Sequence, residues 1–369
     1  MKVELVYEGK KSISDLENII NNKINNSYPI HIISEKGAYI SGDNFEVMIR
    51  LLKYYENKID LIYIDPPFNT NSTFYYKEGR VSTVSTERNS NVAYVDKFSM
   101  NSYIEFMRER LYLMHKLLSN KGTLYLHVDL KVGHYLKIVL DEIFGEENYL
   151  NDITRIKSNP KNFKRKAFGN EKDVIYVYAK NKPNNIFNDI KEPLSDDEIK
   201  QMFSKIDDKG RRYTTVPCHA PKETLNGETG REWLGMLPPK GRHWRCSPRK
   251  LELMDAEGLI EWSCNGVPRI KKYADEHTGK KIQDIWDYKD PQYPIYPTEK
   301  NHDMLDMIVK QSSNESSIIM DCFSGSSAFI KAGVTHSRVV IGIDKSDVSF
   351  TVSKADKLLD KIDFINGNN

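Results

Sequence analysis

The run IDLIYI at 59–64, broken at once by Asp65-Pro66-Pro67-Phe68, constrains the fold more than any other segment of the chain. A compact run of this length, rich in Ile and Tyr, is expected as a buried strand of a parallel sheet, where both faces are covered and polar alternation is lost. Two consecutive prolines cannot continue a central strand, so the chain turns there and leaves Asp65 at the strand's carboxyl end. Ligands of open α/β sheets bind beyond such ends. Asp65 offers an acceptor, the stiff Pro66-Pro67 backbone a carbonyl without a competing N–H, and Phe68 an aromatic face. A carboxylate and a carbonyl together can hold both N–H groups of an exocyclic amine and turn its lone pair toward an electrophile. A strand-terminating turn with a solvated Asp accounts for the four residues equally well.

Strand and helix patterns alternate around this point. KGAYISGDN reads as a strand and a turn carrying Asp43, and NFEVMIRLLKYYEN as an amphipathic helix. Further on, NSYIEFMRERLYLMHKLLSN places Tyr103, Met107, Arg110/Leu111, Met114 and Leu118 at helical spacing. GTLYLHV is then expected as a strand and VGHYLKIVLDEIFG as a helix ending at glycine. The pattern returns near the end: SSIIMD (strand), a Ser/Gly turn, AFIKAGV (helix), RVVIGID (strand) and a final helix from Ser346 to Ile362. Such alternation argues for a doubly wound, mostly parallel α/β sheet. Asp321 and Asp344 end the last two strands, at about the 20-residue spacing at which an acid meets a ribose in nucleotide-type folds, with Gly325 in the turn between them. A generic βαβ turn explains the spacing about as well. The absence of GxGxxG and of GxxxxGK[ST] disfavours a dinucleotide and NTP hydrolysis.

The middle of the chain is polar and aperiodic, and it holds all four tryptophans, Trp233, Trp244, Trp262 and Trp286. It reads as a separately built module, dividing the chain into 1–150, 151–295 and 296–369, with the tryptophans as its core. With 54 Lys+Arg against 52 Asp+Glu the net charge is +2, which excludes coating of nucleic acid by bulk charge. A hydrophobic share of 39% excludes a wholly disordered chain. One local exception stands out: Arg155, Lys157, Lys161, Lys164, Arg165 and Lys166 form a basic run, expected to touch phosphates. No stretch approaches the roughly 18 apolar residues of a membrane span, and the N-terminus lacks a signal-peptide core. Four widely spaced cysteines do not form a disulfide framework, so a cytoplasmic, reduced protein is expected. His243, Cys246, Cys218, His219 and Cys264 lack the separations of paired zinc knuckles, and no metal is expected.

Together the two constellations become specific. LIYIDPPFNTNSTFYY and DKFSMNSYIEFMRERLYLMHKLLSNKGTLYLHVDLKVGHYLKIVLDEIFGEEN resemble the catalytic half of amino-group DNA methyltransferases of the β order. These include the modification subunits of type III restriction systems and stand-alone site-specific relatives. YPTEKN, DCFSGSS and VVIGID look like that family's cofactor elements, and GRHWRCSPRKLELMDAEGLIEW with QDIWDY is similar to its middle region. The resemblance implies a circularly permuted S-adenosylmethionine-dependent methyltransferase sheet with an inserted target-recognition module. It implies adenine N6 as target, since the Ser form of the motif is commoner for cytosine N4, and direct in-line methyl transfer on a flipped base. Cytosine N4, a non-catalytic or partner-dependent DNA-binding subunit, and an RNA adenine methyltransferase remain the alternatives.

Asp65, Pro66, Pro67 and Phe68 are the implied catalytic residues. The implied cofactor site comprises Asp65, Asp321, Phe323, Ser324, Gly325, Ser326 and Asp344, closed by Thr298 and Lys300, with Asp43 near the same pocket. Double-stranded DNA is the implied partner, with a restriction endonuclease subunit and a second copy of the chain as further ones, and no membrane. Two departures bear on cofactor binding. The family's Gly-Ser-Gly-Thr is Gly325-Ser326-Ser327-Ala328 here, which is awkward if position 327 needs positive φ, and its Lys-Pro is Lys300-Asn301. Pro217-Cys218 is similar to the nucleophile of cytosine-C5 methyltransferases but lacks their strand and glycine context.

Overall fold

The expected strand at IDLIYI forms at Ile59–Ile64, paired on both edges, with all six residues buried. The computed structural model describes residues 3–67, 72–77, 80–82, 91–96, 99–159, 166–224, 226–292 and 299–367, with backbone alone for 72–77, 80–82 and 91–96. Two compact units emerge, one of residues 1–190 with 283–369 and one of Lys191–Ile282.

The first unit is built on a nine-stranded sheet. In chain order its strands are β1 (Gly37–Ser41), β2 (Ile59–Ile64), β3 (Leu118–Val128), β4 (Tyr149–Ile156), β5 (Lys172–Ala179), β6 (Ile285–Trp286), β7 (Ile318–Asp321), β8 (Val339–Asp344) and β9 (Asp363–Asn366). They lie in the spatial order β6-β4-β5-β3-β2-β7-β8-β1-β9. Only β5 runs against the rest. Helices α1 (Ile13–Asn26), α2 (Asn44–Tyr55), α3 (Met100–Leu117) and α4 (Gly133–Phe144) bury Leu16, Met48, Leu111 and Leu140 in one core with Ile62 and Ile64 of β2. Three more helices follow, α5 (His302–Ser312), α6 (Ala328–Thr335) and α7 (Asp347–Lys354). Phe329 of α6 stacks on Tyr63 of β2 at 5.3 Å between ring centroids. Among the described residues no helix is long and apolar enough to cross a membrane.

Three sequence expectations change here. The module placed at 151–295 is narrower as a compact unit, because β4, β5 and β6 belong to the main sheet. DVIYVYA is an apolar run that pairs along β3, with Leu126 opposite Tyr176. The final helix ends at Lys354 instead of Ile362, since the Asp356 carboxylate accepts from the Leu358 N–H and starts a separate 3-10 turn at Lys357–Leu359. Trp286 lies on the edge strand β6 and not in the module's core.

The second unit holds a four-stranded antiparallel sheet and a ribbon pairing His219–Pro221 with Arg242–Trp244. Trp233 and Trp244 meet edge to face at 5.7 Å over Cys218, Leu251, Ile260 and Ile270, so two of the four tryptophans form its core. Trp262 is partly exposed and donates its indole N–H to Asp255.

Candidate active site

From the seam between β2 and β7 the chain winds both ways: β2 is followed by its neighbour β3, and β7 by β8 on the other side. This is the switch point at which parallel sheets open a crevice beyond their carboxyl ends. Asp65 follows β2 there, Asp321 ends β7 and Asp344 ends β8.

The Lys300 ammonium donates to Asp65 Oδ2, and both side chains are largely buried. Asp65 Oδ1 is buried without a hydrogen-bond partner among the described residues. An unmet buried acceptor costs about 1–3 kcal/mol, so its presence at a crevice points to a ligand donor. Lys300 is placed by the start of α5, where Asn301 is the N-cap and accepts from the Met304 N–H at 3.1 Å. The same Asn301 donates to the Lys289 carbonyl at 3.0 Å, so the residue that replaces proline serves the structure as a cap.

On the neighbouring strand ends the carboxylates are tied to backbone. Asp321 Oδ1 accepts from the Phe323 N–H at 2.9 Å, and the Ser324 hydroxyl donates to the Asp321 carbonyl at 2.8 Å. Asp344 receives the Gly325 N–H on Oδ2 and the Ser346 N–H on Oδ1, both at 2.8 Å. Ser349 donates to the Gly325 carbonyl and pairs with the Tyr39 hydroxyl at 2.6 Å. Gly325 has φ +44°, and Ser327 takes φ +60° despite its β-carbon. The expected need for positive φ at 327 is therefore real, and a serine meets it. Its fully buried hydroxyl sits 2.5 Å from that of Ser353, a contact that offsets part of the strain. Burial pushes the Asp321 carboxyl well above the usual range, helped by the charges of Asp65 and Asp344. Burial likewise raises Asp344, against the pull of its backbone donors.

Asp43 caps α2 and lies 3.3 Å from Arg110, whose Nε donates to Asn44 at 2.6 Å while its guanidinium stacks on Phe106 at 3.5 Å. Phe323 packs near the same Phe106 at 6.3 Å. Asn44 donates to the Cys322 carbonyl, tying α2 to the end of β7. Ser326 is half-buried in the turn. Phe68, Thr298, Lys161, Lys164 and Arg165 lie outside the described residues.

The basic run is corrected at its first member. Arg155 is fully buried, bonding Asp290 at 2.5 Å and the Tyr288 carbonyl at 2.8 Å, so it cannot reach a phosphate. Lys157 is committed to Asp173 at 2.6 Å, and Lys166 alone of the described members is exposed. These contacts belong to a buried chain that sequence reasoning missed. The Tyr63 hydroxyl meets His127 Nδ1 at 2.9 Å, and His127 Nε2 faces Asp173 at 3.4 Å. Burial holds His127 below its ordinary range, and burial with the Asp65 charge raises Tyr63. Against its own burial, Asp173 is drawn down to about 2 by His127 and Lys157.

Cys218 is buried in the second unit's apolar core, which pushes its thiol up to about 11 and away from nucleophilic use. Among the described residues no group of three or more His, Cys, Asp or Glu is placed to hold a metal ion.

A family model described as DNA methylase, for the N6 and N4 enzymes, matches residues 59–354. The chain belongs to this family. Among its relatives, the type II methyltransferase M.EcaI of Enterobacter cloacae is 38% identical over 315 residues, 84% of this chain and 66% of the relative. The type III StyLTI Mod subunit of Salmonella typhimurium is 24% identical over 347 residues, 84% of this chain and 50% of the relative. The type II methyltransferase M.KpnI of Klebsiella pneumoniae is 24% identical over 334 residues, covering 79% and 75%. The chain thus spans about half to two thirds of the length of the first two. A solved structure titled as the cytosine-N4-specific PvuII DNA methyltransferase is 10% identical, with 93% and 97% of the two chains covered and a TM-score of 0.46.

Proposed function

We propose that this DNA methylase transfers a methyl group from S-adenosylmethionine to the N6 amine of adenine at a specific site in double-stranded DNA. The observation that carries the reading is the divided Asp65 carboxylate: one oxygen held by Lys300, the other buried and unmet at the switch-point crevice.

The cofactor fits the donor set. Asp65, Asp321 and Asp344 crowd one crevice, with Asp321 raised by both of the others, and Lys300 pairs with Asp65. A ligand carrying positive charge relieves that repulsion. Asp344 and the Gly325 turn would hold its ribose side, with Phe323, Ser324 and Ser326 around them. When bound, S-adenosylmethionine supplies an electrophilic methyl group on its sulfonium.

The protein's part is mostly positioning. Extruding the base costs a few kcal/mol, recovered by contacts in the pocket. Asp65 Oδ1 accepts one N–H of the amine and the Pro66 carbonyl the other, which turns the nitrogen lone pair out of the ring toward the methyl donor. Asp65 Oδ1 is then placed to receive the proton that the methylated nitrogen sheds. Phe68 stacks on the base by resemblance to the family. Asp rather than Ser at 65 favours adenine. Ser327 at positive φ and Asn301 as a helix cap both favour an intact cofactor site over an eroded one. A restriction endonuclease subunit is a proposed partner on the similarity to type III Mod subunits.

The test is to incubate the protein with unmethylated genomic DNA and labelled S-adenosylmethionine and identify the modified nucleoside by mass spectrometry. N6-methyladenine is expected. N4-methylcytosine would keep the mechanism and overturn the target, and no product would overturn the reading.

A further inference from the structure

The buried pairing of Arg155 takes one member of the basic run away from phosphate contact and raises the question of which other cations can make it. Within the second unit, Arg242, Arg245 and Arg269 converge on the segment 215–219. Arg245 Nε donates to the Pro217 carbonyl at 3.0 Å. Arg269 Nε and Nη2 bond the hydroxyl and carbonyl of Thr215, each at 2.9 Å. Arg242 Nη1 lies 3.2 Å from His219 Nδ1. The register agrees, with Arg269 opposite Pro217 and Arg242 opposite Pro221. Apart from its partial burial, the ring of His219 is pulled below its ordinary range by these same three arginines.

Ile270 and Trp244 point into the tryptophan core, so Arg269, next to Ile270 on its strand, is turned away from that core, while Arg242 and Arg245 lie two residues before and one after Trp244. Arg242 and Arg245 are exposed, and none of the three forms an ion pair among the described residues. Arg211 in the same unit is by contrast paired with Asp275 and Glu276. Anchoring each guanidinium to the backbone or to His219 removes its rotamer entropy in advance and leaves other N–H donors pointing outward.

We propose that this corner of Arg242, Arg245 and Arg269 is a phosphate-contact site for the backbone of duplex DNA. The inference rests on the proposed function and adds where the second unit grips its substrate. Three fixed guanidiniums without carboxylates suit a polyanion with evenly spaced phosphates, and fork-like donors bind phosphate oxygens in pairs.

The experiment measures binding of the full chain to a short fluorescent duplex as salt is raised. Every phosphate that is no longer neutralised should lower the slope of log K against log salt by about 0.9. Arg242→Gln with Arg245→Gln, which leaves the Arg269 bonds intact, should lower the slope by about 2 and weaken binding roughly tenfold to a hundredfold at moderate salt. Adding Arg269→Gln should lower it by about 1 more, and the matching Arg→Lys variant should recover most of the slope. An unchanged slope in the double variant, with the wild type binding normally, overturns this site and leaves the proposed function standing. No duplex binding by the wild type overturns both.

Discussion

Asp65 and Asp344 end strands two places apart in the same sheet, yet they are used differently. Asp344 has both oxygens engaged by the N–H groups of Gly325 and Ser346, so it shapes the turn it belongs to. Asp65 has one oxygen on a lysine and the other on no described residue. A carboxylate tied to backbone holds a site in shape, whereas one with a buried spare oxygen is waiting for a donor. The arginines repeat the lesson. Arg155, inside the densest basic run of the sequence, is buried among carboxylates, while Arg242 and Arg245 stand exposed without any among the described residues.

The sharpest break of the first comparison is Asp65→Asn. It keeps the shape and removes the charged acceptor, and the methyl-transfer rate in single turnover should fall by about a thousandfold. Equal rates would mean that the spare oxygen has no role. Lys300→Gln comes next. If Lys300 orients Asp65, the rate constant should drop roughly tenfold to a hundredfold while cofactor affinity measured by calorimetry changes little. Weaker affinity at constant rate would return Lys300 to the cofactor.

The reach of the sequence can be judged from these same residues. The strand-Asp-Pro-Pro break, the Asp321–Asp344 spacing and the α/β alternation were legible because each rests on local backbone chemistry. The ion pair of Lys300 with Asp65 was not, since 235 positions separate the partners and only the sheet order brings them together. Nor was the burial of Arg155, because a run of cations looks alike in sequence whether Asp173 and Asp290 lie beneath it or not. The β5 run DVIYVYA was readable as a strand, but its place beside β3 depended on antiparallel pairing that no local pattern announces.

Two smaller effects sharpen the account of the turn. Burial raises Asp321 and Asp344, so at acid pH both hold protons that a cationic ligand must displace. Cofactor affinity should therefore rise with pH across the acid range, by up to about tenfold per unit for each carboxyl, and level off once both are ionised. Titration by calorimetry checks the sign, and affinity that falls with rising pH would contradict it. The smallest effect is at Ser327. Ser327→Ala keeps the positive φ and leaves the Ser353 hydroxyl without this hydrogen bond, which should cost about 1 kcal/mol. Ser327→Gly removes the same bond but relieves the backbone, so thermal unfolding should find it within about 1 kcal/mol of wild type and above the Ala variant.

The most direct test of the division between the two strand ends is the cofactor dissociation constant of Asp65→Asn and Asp344→Asn, measured side by side by calorimetry on protein without DNA. Asp344→Asn should weaken S-adenosylmethionine binding by about tenfold or more, because the turn is deprived of a charged acceptor that has no ion-pair partner among the described residues. Asp65→Asn should change it by less than about threefold, since Lys300 already offsets that charge. The reverse pattern, with Asp65 governing affinity and Asp344 dispensable, would contradict the account.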